Sequence, residues 1–244
     1  LFFFNKQKIR LRELLSENYT DIHSHLIYNI DDGSKNAEDT LFLVKAMLDF
    51  GTTSFITTPH TMQFIWENSK EVILDKHKNT QHLLEENSIV ASFRVASEYL
   101  IDDYFAQKIK NEGLLTLKEN YVLVEMSYIN PPLQLYEILF DLQVAGYKPI
   151  LAHPERYLFY HNNFDDYVKL KKAGCLFQLN LLSSVGYYGE QVFNITKKML
   201  SQGMFDFVGS DVHHKNHIKA FDNQLVIKDL SPLKEIIKNN SFFA

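Results

Sequence analysis

The chain has 244 residues, 45% of them hydrophobic and 23% charged, with a formal net charge of −5. That length and composition suit a folded globular chain with room for one α/β barrel or two smaller domains, and the negative balance supplies no basic field, which argues against nucleic acid as a partner. A single cysteine, Cys175, excludes an intramolecular disulfide and a thiolate metal cluster, and no apolar run approaches the ~20 residues of a membrane-spanning helix.

The amino terminus reads as an arm over residues 1–18, in which Leu1-Phe2-Phe3-Phe4 precedes Lys6, Lys8, Arg10 and Arg12 interleaved with Ile9, Leu11, Leu14 and Leu15. A secretory signal has charge before the apolar block, the opposite order. Two readings stand: a basic amphipathic element in peripheral contact with anionic lipid, or a helix packed on the barrel or on a partner subunit of an oligomer. Residues 19–244 then read as one domain, since no Gly/Ser/Pro-rich linker divides them.

Within that domain a short strand, Tyr19-Thr20-Asp21-Ile22-His23, leads into a polar loop through Asp31-Asp32-Gly33-Ser34. The spacing predicts a helix over 36–50, capped by Asn36 and stopped by Gly51. A strand over 53–58 ends at Pro59-His60. The pattern repeats with a helix over 69–87, a strand over 90–97 ending at Glu98, a helix over 102–112 and a strand over 121–124 ending at Glu125. It continues with a helix over 133–145, a strand over 148–152 ending at His153, a helix over 164–173 and a strand over 176–180 ending at Asn180. A helix over 189–202, a strand over 205–209 followed by Asp211, and a helix near 232–239 complete the chain. Seven strands alternating with helices predict a parallel sheet closed into a distorted β/α barrel of the TIM type. Cys175 sits in the apolar run Cys-Leu-Phe-Gln-Leu and reads as a buried structural thiol.

Chemistry concentrates at the strand ends. His23, His25, Asp32, His60, Glu98, Glu125, His153, Asp211 and His213 all follow strand-like segments, and in a barrel of parallel strands those ends share one face. His23-Ser24-His25 and Asp211-Val212-His213 each place two donors on one side of an extended backbone. Glu98 and Glu125 follow apolar stretches, where an unpaired carboxylate is expensive and a cation or ion pair must compensate it. Imidazole and carboxylate without thiolate suit manganese, iron, zinc or magnesium, and nine donors exceed the needs of one ion, so two or three ions are expected.

The segments Asp-Ile-His-Ser-His (21–25), Asp-Asp-Gly (31–33), Thr-Thr-Pro-His (57–60), Glu-Tyr (98–99), Val-Glu-Met (124–126), Ala-His-Pro-Glu-Arg (152–156) and Ser-Asp-Val-His-His (210–214) carry a resemblance that spans about residues 21–217. The chain resembles the polymerase and histidinol phosphatase superfamily, and within it the bacterial manganese-dependent protein-tyrosine phosphatases linked to capsule and exopolysaccharide synthesis. The resemblance implies that His23, His25 and Asp211 hold one ion, that Glu98 bridges it to a second bound by Glu125 and His153, and that Asp32, His60 and His213 hold the third. It further implies hydrolysis of phosphotyrosine on a protein, the tyrosine-rich tail of a membrane-associated bacterial tyrosine kinase; the single cysteine makes the cytoplasm the simplest compartment.

Arg156, with its planar donor fork, is then the candidate for steadying a phosphoryl oxygen, and His214 for the proton that assists the phenolate leaving group. Phe64, Trp66, Tyr157 and Tyr188, with Tyr160 and Tyr187, populate the expected mouth loops as candidates for stacking on the substrate ring. His77, His82, His161 and His217 read as solvated or incidental, and the clusters at Lys108-Ile109-Lys110 and Lys169–Lys172 as solvated helix faces. A histidinol-phosphate phosphatase and a non-catalytic, metal-stabilised interaction module are the alternatives that the same donor set permits.

Overall fold

A computed structural model describes residues 9–15, 18–111 and 113–244. The strands are β1 (Tyr19–Asp21), β2 (Thr52–Thr57), β3 (His60–Thr61), β4 (Ser92–Val95), β5 (Glu98–Leu100), β6 (Tyr121–Glu125), β7 (Lys148–Ala152), β8 (Leu176–Asn180) and β9 (Phe207–Gly209). Between them run α1 (Ala37–Asp49), α2 (Lys70–Glu86), α3 (Asp103–Asn111), α4 (Leu135–Val144), α5 (Asp165–Lys172) and α6 (Glu190–Ser201), with α7 (Lys215–Ala220) and α8 (Ser231–Asn239) after β9. Two of the expected seven strands are each broken in two, at Thr58-Pro59 and at Ala96-Ser97. Proline cannot donate to a ladder, which accounts for the first break. The six-residue α7 is too short to show a helical period in the sequence.

All the strand pairs are parallel, in the orders β1-β2-β4 and β3-β5-β6-β7-β8-β9. The broken strands carry the chain from one sheet to the other. First and last strands meet at the rim through a parallel bridge between Ser24 and Val212. There the His25 amide donates to Val212 (3.0 Å), the Asp211 amide to His23 (2.7 Å), and the Ser210 amide to the Asp21 carboxylate (2.9 Å).

Period-two alternation sorts the strand residues between two cores. Val122, Val124, Leu151, Phe177 and Leu179 face outward and pack in the large core under the helices. Ile22, Ile56, Ala96, Leu123, Ile150 and Ala152 form a separate inner cluster, with Phe243 packed among them. Each fully buried aliphatic side chain of this kind contributes roughly 1.5–3 kcal/mol. The alternation also places the polar residues: Ile56 is followed two and four positions on by Thr58 and His60, Ala96 by Glu98, and Leu123 by Glu125. A column that is apolar inside the barrel therefore ends in a metal-binding type of side chain at the rim.

Residues 9–15 of the arm are part of this structure. Leu11 and Leu15 belong to the large core, the Leu225 amide donates to Ile9, and Arg10 and Arg12 both pair with Asp222. The described part of the arm is thus packed on the barrel, while the phenylalanine run with Lys6 and Lys8 lies outside the described residues. Among the described residues no helix is long and apolar enough to cross a membrane.

Lys108 corrects the expectation of a solvated helix face, because its side chain is buried and its ammonium lies 4.5 Å from the centre of the Tyr104 ring. Its stem covers apolar surface while the head stays near a ring face. Cys175 is buried, and burial pushes its thiol up to about 12. Since the thiolate is the nucleophile, the native protein is expected to resist alkylation at neutral pH and to label only after denaturation. Mass spectrometry after iodoacetamide treatment checks this, and rapid native labelling would contradict it.

Candidate metal centre

The nine strand-end residues converge. Four groups of donors lie with their atoms within 4.8 Å of one another: His23, His25 and Asp211; His23, Glu98 and His153; His60, Glu98 and Glu125; and His25, Asp32, His60 and His213. Glu98 is central. Its Oε2 lies 3.2 Å from His23 Nε2, 3.4 Å from His25 Nε2 and 3.2 Å from His60 Nδ1, while Oε1 lies 3.1 Å from His153 Nε2. Asp211 Oδ1 faces His23 Nε2 at 3.3 Å and His25 Nε2 at 3.5 Å. Asp32 Oδ1 stands 3.5 Å from His60 Nε2 and 3.4 Å from His213 Nε2.

The donor atoms interleave rather than fall into three separate sets, with His25 also grouped with Asp32, His60 and His213. Glu125 sits with His60, its Oε1 2.8 Å from Nδ1, rather than with His153, which groups with His23 across Glu98.

Several features fit this cage to cations. His60 Nδ1, Glu98 Oε2 and Glu125 Oε1 are buried and crowd together at 2.8–3.2 Å without good hydrogen-bond geometry, an arrangement that a shared cation would satisfy. Three imidazoles have their outer nitrogen fixed by an acceptor: His23 Nδ1 by Gln178 Oε1 (2.8 Å), His25 Nδ1 by Asp31 Oδ2 (2.8 Å) and His213 Nδ1 by the Asp211 carbonyl (2.9 Å). Each outer nitrogen therefore carries the proton, and the Nε2 lone pair is turned inward. His23 Nε2 and His25 Nε2 consequently face each other at 3.3 Å, both beside Glu98 Oε2 and Asp211 Oδ1, an inward donor set that a proton or a cation must occupy.

Charge adds to the fit. Burial opposes ionisation of Glu98, yet His23 and His60 outweigh it and hold this carboxyl well below the usual range. Asp211 behaves alike, with burial overcome by His23 and His213. Both offer anionic oxygen at neutral pH. Burial lowers the His60 imidazole, but Glu125 reverses the effect and raises it to about 9. A cation entering this cage therefore displaces protons as it binds.

The backbone is bent to build the site. His153 (φ 36°) and Asp211 (φ 51°) both occupy the left-handed region, which costs of order 1–3 kcal/mol each for residues with a Cβ. At His153 the bend starts a short helical turn, Pro154–Arg156, that brings Arg156 back over the rim. Gly33 and Gly209 allow close approach. A Cβ at Gly33 would stand 2.3 Å from the His25 carbonyl oxygen, and one at Gly209 would stand 2.6 Å from His23 Cβ.

The remaining candidates fall on both sides of expectation. Arg156 lies beside the cluster, its Nη1 donating to Asp211 Oδ2 (2.7 Å), with its guanidinium between the rings of Tyr188 (4.1 Å) and Tyr128 (4.9 Å). Burial acts against its charge, but Tyr128 and Asp211 more than compensate and keep it protonated. Tyr188 also accepts from Asn180 Nδ2 (3.0 Å) and braces the arginine. His214 is exposed and lines a cavity of ≈ 270 Å³ with Asp32, His213, Lys35 and Lys215. Trp66 stacks on His60 with centroids 4.9 Å apart, and Phe64 projects into solvent, 86% exposed.

Tyr157 is not at the mouth. It is fully buried, with its hydroxyl accepting from the Met126 amide (2.8 Å) and donating to the Ala152 carbonyl (3.3 Å), so no substrate reaches it. Tyr160 is likewise buried. His217 is no solvated loop residue: it is buried on α7, and its Nδ1 lies 3.1 Å from the Asp211 carbonyl, beneath the last pair of donors. His77 stacks on Phe93 and contacts its carbonyl (2.9 Å), and His161 contacts the Glu155 carbonyl (2.8 Å). Only His82, paired with Glu85 at the surface, matches the solvated reading.

Sequence reasoning passed over Asp31, Gln178 and Tyr128. Asp31 had a signal, since adjacent acids in Asp31-Asp32 point different ways and both cannot face one ion. Its Oδ2 holds His25 Nδ1 and accepts from the His60 amide (3.1 Å), and its Oδ1 accepts from the Gly33 amide (2.9 Å). Replacing Asp31 with Asn is expected to weaken divalent-metal binding by about 10- to 100-fold, the usual effect of losing such an orienting partner. Equilibrium metal titration of the folded variant reads this directly, and unchanged affinity would contradict the orienting role.

Comparison with known proteins agrees with this picture. The family model for capsular polysaccharide synthesis, CpsB/CapC, matches residues 19–220. The putative tyrosine-protein phosphatase CapC of Staphylococcus aureus is 29% identical over 194 residues, covering 79% of this chain and 76% of that protein. The tyrosine-protein phosphatase YwqE of Bacillus subtilis is 26% identical over 195 residues, covering 80% and 77%. A crystal structure described under YwqE from Bacillus subtilis and CpsB from Streptococcus pneumoniae, unique metal-dependent tyrosine phosphatases, shares the fold with a TM-score of 0.80 at 23% identity, covering 92% of this chain and 93% of that one.

Proposed function

The chain belongs to the capsular polysaccharide synthesis CpsB/CapC family, and on that premise we propose that it is a metal-dependent protein-tyrosine phosphatase acting on a phosphorylated protein in capsule or exopolysaccharide synthesis. The observation that carries this reading is the inward convergence of imidazole and carboxylate donors at the rim, three of the five imidazoles having their outer nitrogens already fixed.

His23, His25 and Asp211 would hold one ion, Glu98, Glu125 and His153 a second, and Asp32, His60 and His213 a third. When bound, such ions acidify water and offset charge on phosphoryl oxygens. Manganese is the metal we assign, with iron, zinc and magnesium the alternatives to test. The protein's own residues supply position and proton transfer. Arg156, held between two rings, offers donors on its unpaired nitrogens to a phosphoryl oxygen without further ordering. We assign the proton for the departing phenolate to His214, which is solvent-accessible beside Asp32 and His213. We assign the cytoplasm as compartment, and the tyrosine-rich tail of a membrane-associated tyrosine kinase as the substrate this reading favours.

The test is turnover of a phosphotyrosine peptide by protein loaded in turn with manganese, iron, zinc or magnesium, with histidinol phosphate assayed in parallel. Manganese-dependent release of phosphate from the peptide is expected. Preference for histidinol phosphate, or turnover that survives complete metal removal, would overturn the assignment.

A further inference from the structure

Resting on the phosphatase reading, we propose that Trp66 and Tyr128 are the two aromatic walls that select an aryl group on the substrate. Each lies on a different imidazole of the cluster. Trp66 stacks on His60 at 4.9 Å between centroids and 13° between planes, and Tyr128 on His153 at 5.8 Å and 21°. His60 meets Glu98 through Oε2 and His153 through Oε1, so the two rings flank opposite sides of one carboxylate.

Both walls are held in place. The Trp66 loop is closed by paired amide bonds between Met62 and Trp66 (2.9 and 3.0 Å), and Asn68 Nδ2 ties it to the His60 carbonyl (2.8 Å) and the Ile30 carbonyl (3.1 Å). At the tip, Phe64 takes a left-handed conformation (φ 66°), its amide donating to Glu67 Oε1 at 2.9 Å. Left-handed backbone is unfavourable for an aromatic residue, and here it presents an 86% exposed ring to solvent beside 63% exposed Ile65. On the other side Ile129 is 84% exposed next to Tyr128. An apolar fringe thus borders a cage of charged donors, which matches a ligand with an anionic end and an aromatic end.

The Tyr128 hydroxyl does little to place its ring. It stands 3.5 Å from both His153 nitrogens, too far for a good hydrogen bond. Ring packing does the placing, through His153, Arg156 and the buried Tyr157 (5.7 Å). Tyr157, rejected as a substrate contact, is therefore the support of one. The wall's contribution comes from its face, so phenylalanine should replace it and alanine should not.

Trp66 is the only tryptophan of the chain, which makes its emission a site-specific reporter. With manganese present, titration with phenylphosphonate and with methylphosphonate compares two probes with the same anionic head. Phenylphosphonate is expected to bind at least about threefold tighter, and Tyr128→Ala to bring that ratio down toward one, by at least about twofold, with Tyr128→Phe preserving it. A looser Arg156 in the alanine variant would weaken both probes alike and leave the ratio unchanged. Equal affinities in the wild type, or a ratio unaffected by Tyr128→Ala in folded protein, would overturn the proposal. Phosphotyrosine turnover with no phenyl preference would sink the walls and spare the phosphatase. Phenyl preference without turnover of phosphotyrosine would do the reverse.

Discussion

Glu98→Gln is expected to lower phosphotyrosine turnover by at least about a thousandfold, some ~4 kcal/mol of barrier, while the fold survives. Glu98 is buried at the centre of the cage, its two oxygens facing His23, His25, His60 and His153. In the proposed arrangement it would be one of the anionic donors that hold the ions. Glutamine keeps the shape but replaces an anionic oxygen with an NH₂ group, which cannot donate a lone pair to a cation. Packing should tolerate the change, because the side-chain volume is nearly conserved. The checks are kcat on a phosphotyrosine peptide, manganese content by elemental analysis and far-UV circular dichroism. A folded variant that keeps full metal content and more than about a tenth of wild-type turnover would remove Glu98 from this role.

Arg156→Ala is expected to reduce kcat/KM by about a hundredfold with metal content unchanged, the scale of losing a preorganised donor to a developing charge. Arg156→Lys should recover only part of it, because a point charge on a flexible stem lacks the planar fork and stacks poorly between Tyr128 and Tyr188. Metal content separates two roles for the same side chain. Arg156 Nη1 and Asn180 Nδ2 both donate to Asp211 Oδ2, at 2.7 and 2.8 Å. If the arginine served only to orient Asp211, its removal would deplete manganese together with activity. Loss of turnover at full metal loading instead places the guanidinium on the substrate.

Much of this was legible in the chain. Alternation of apolar segments with helical periods gave the parallel β/α order, and the cap read at Asn36 lies where its side chain accepts from the Asp39 amide. What period-two reasoning missed was the break at Thr58-Pro59, where the strand passes from one sheet to the other. The same limit applied to the aromatics. Trp66 and Tyr157 look alike as loop residues, yet one stacks on His60 and the other is walled in beneath Met126.

The residue types at the strand ends, read against the strand order, sufficed to bring nine donors to one rim. Alternation along a strand and convergence of parallel strands are local rules that the chain carries in its own spacing. Which donor faces which was decided only in three dimensions. Glu125 went to His60 rather than His153, Asp31 rather than Asp32 took His25 Nδ1, and Gln178 fixed His23. These pairings accompany left-handed bends at His153 and Asp211 and close approaches at Gly33 and Gly209, three-dimensional contacts that no local period encodes.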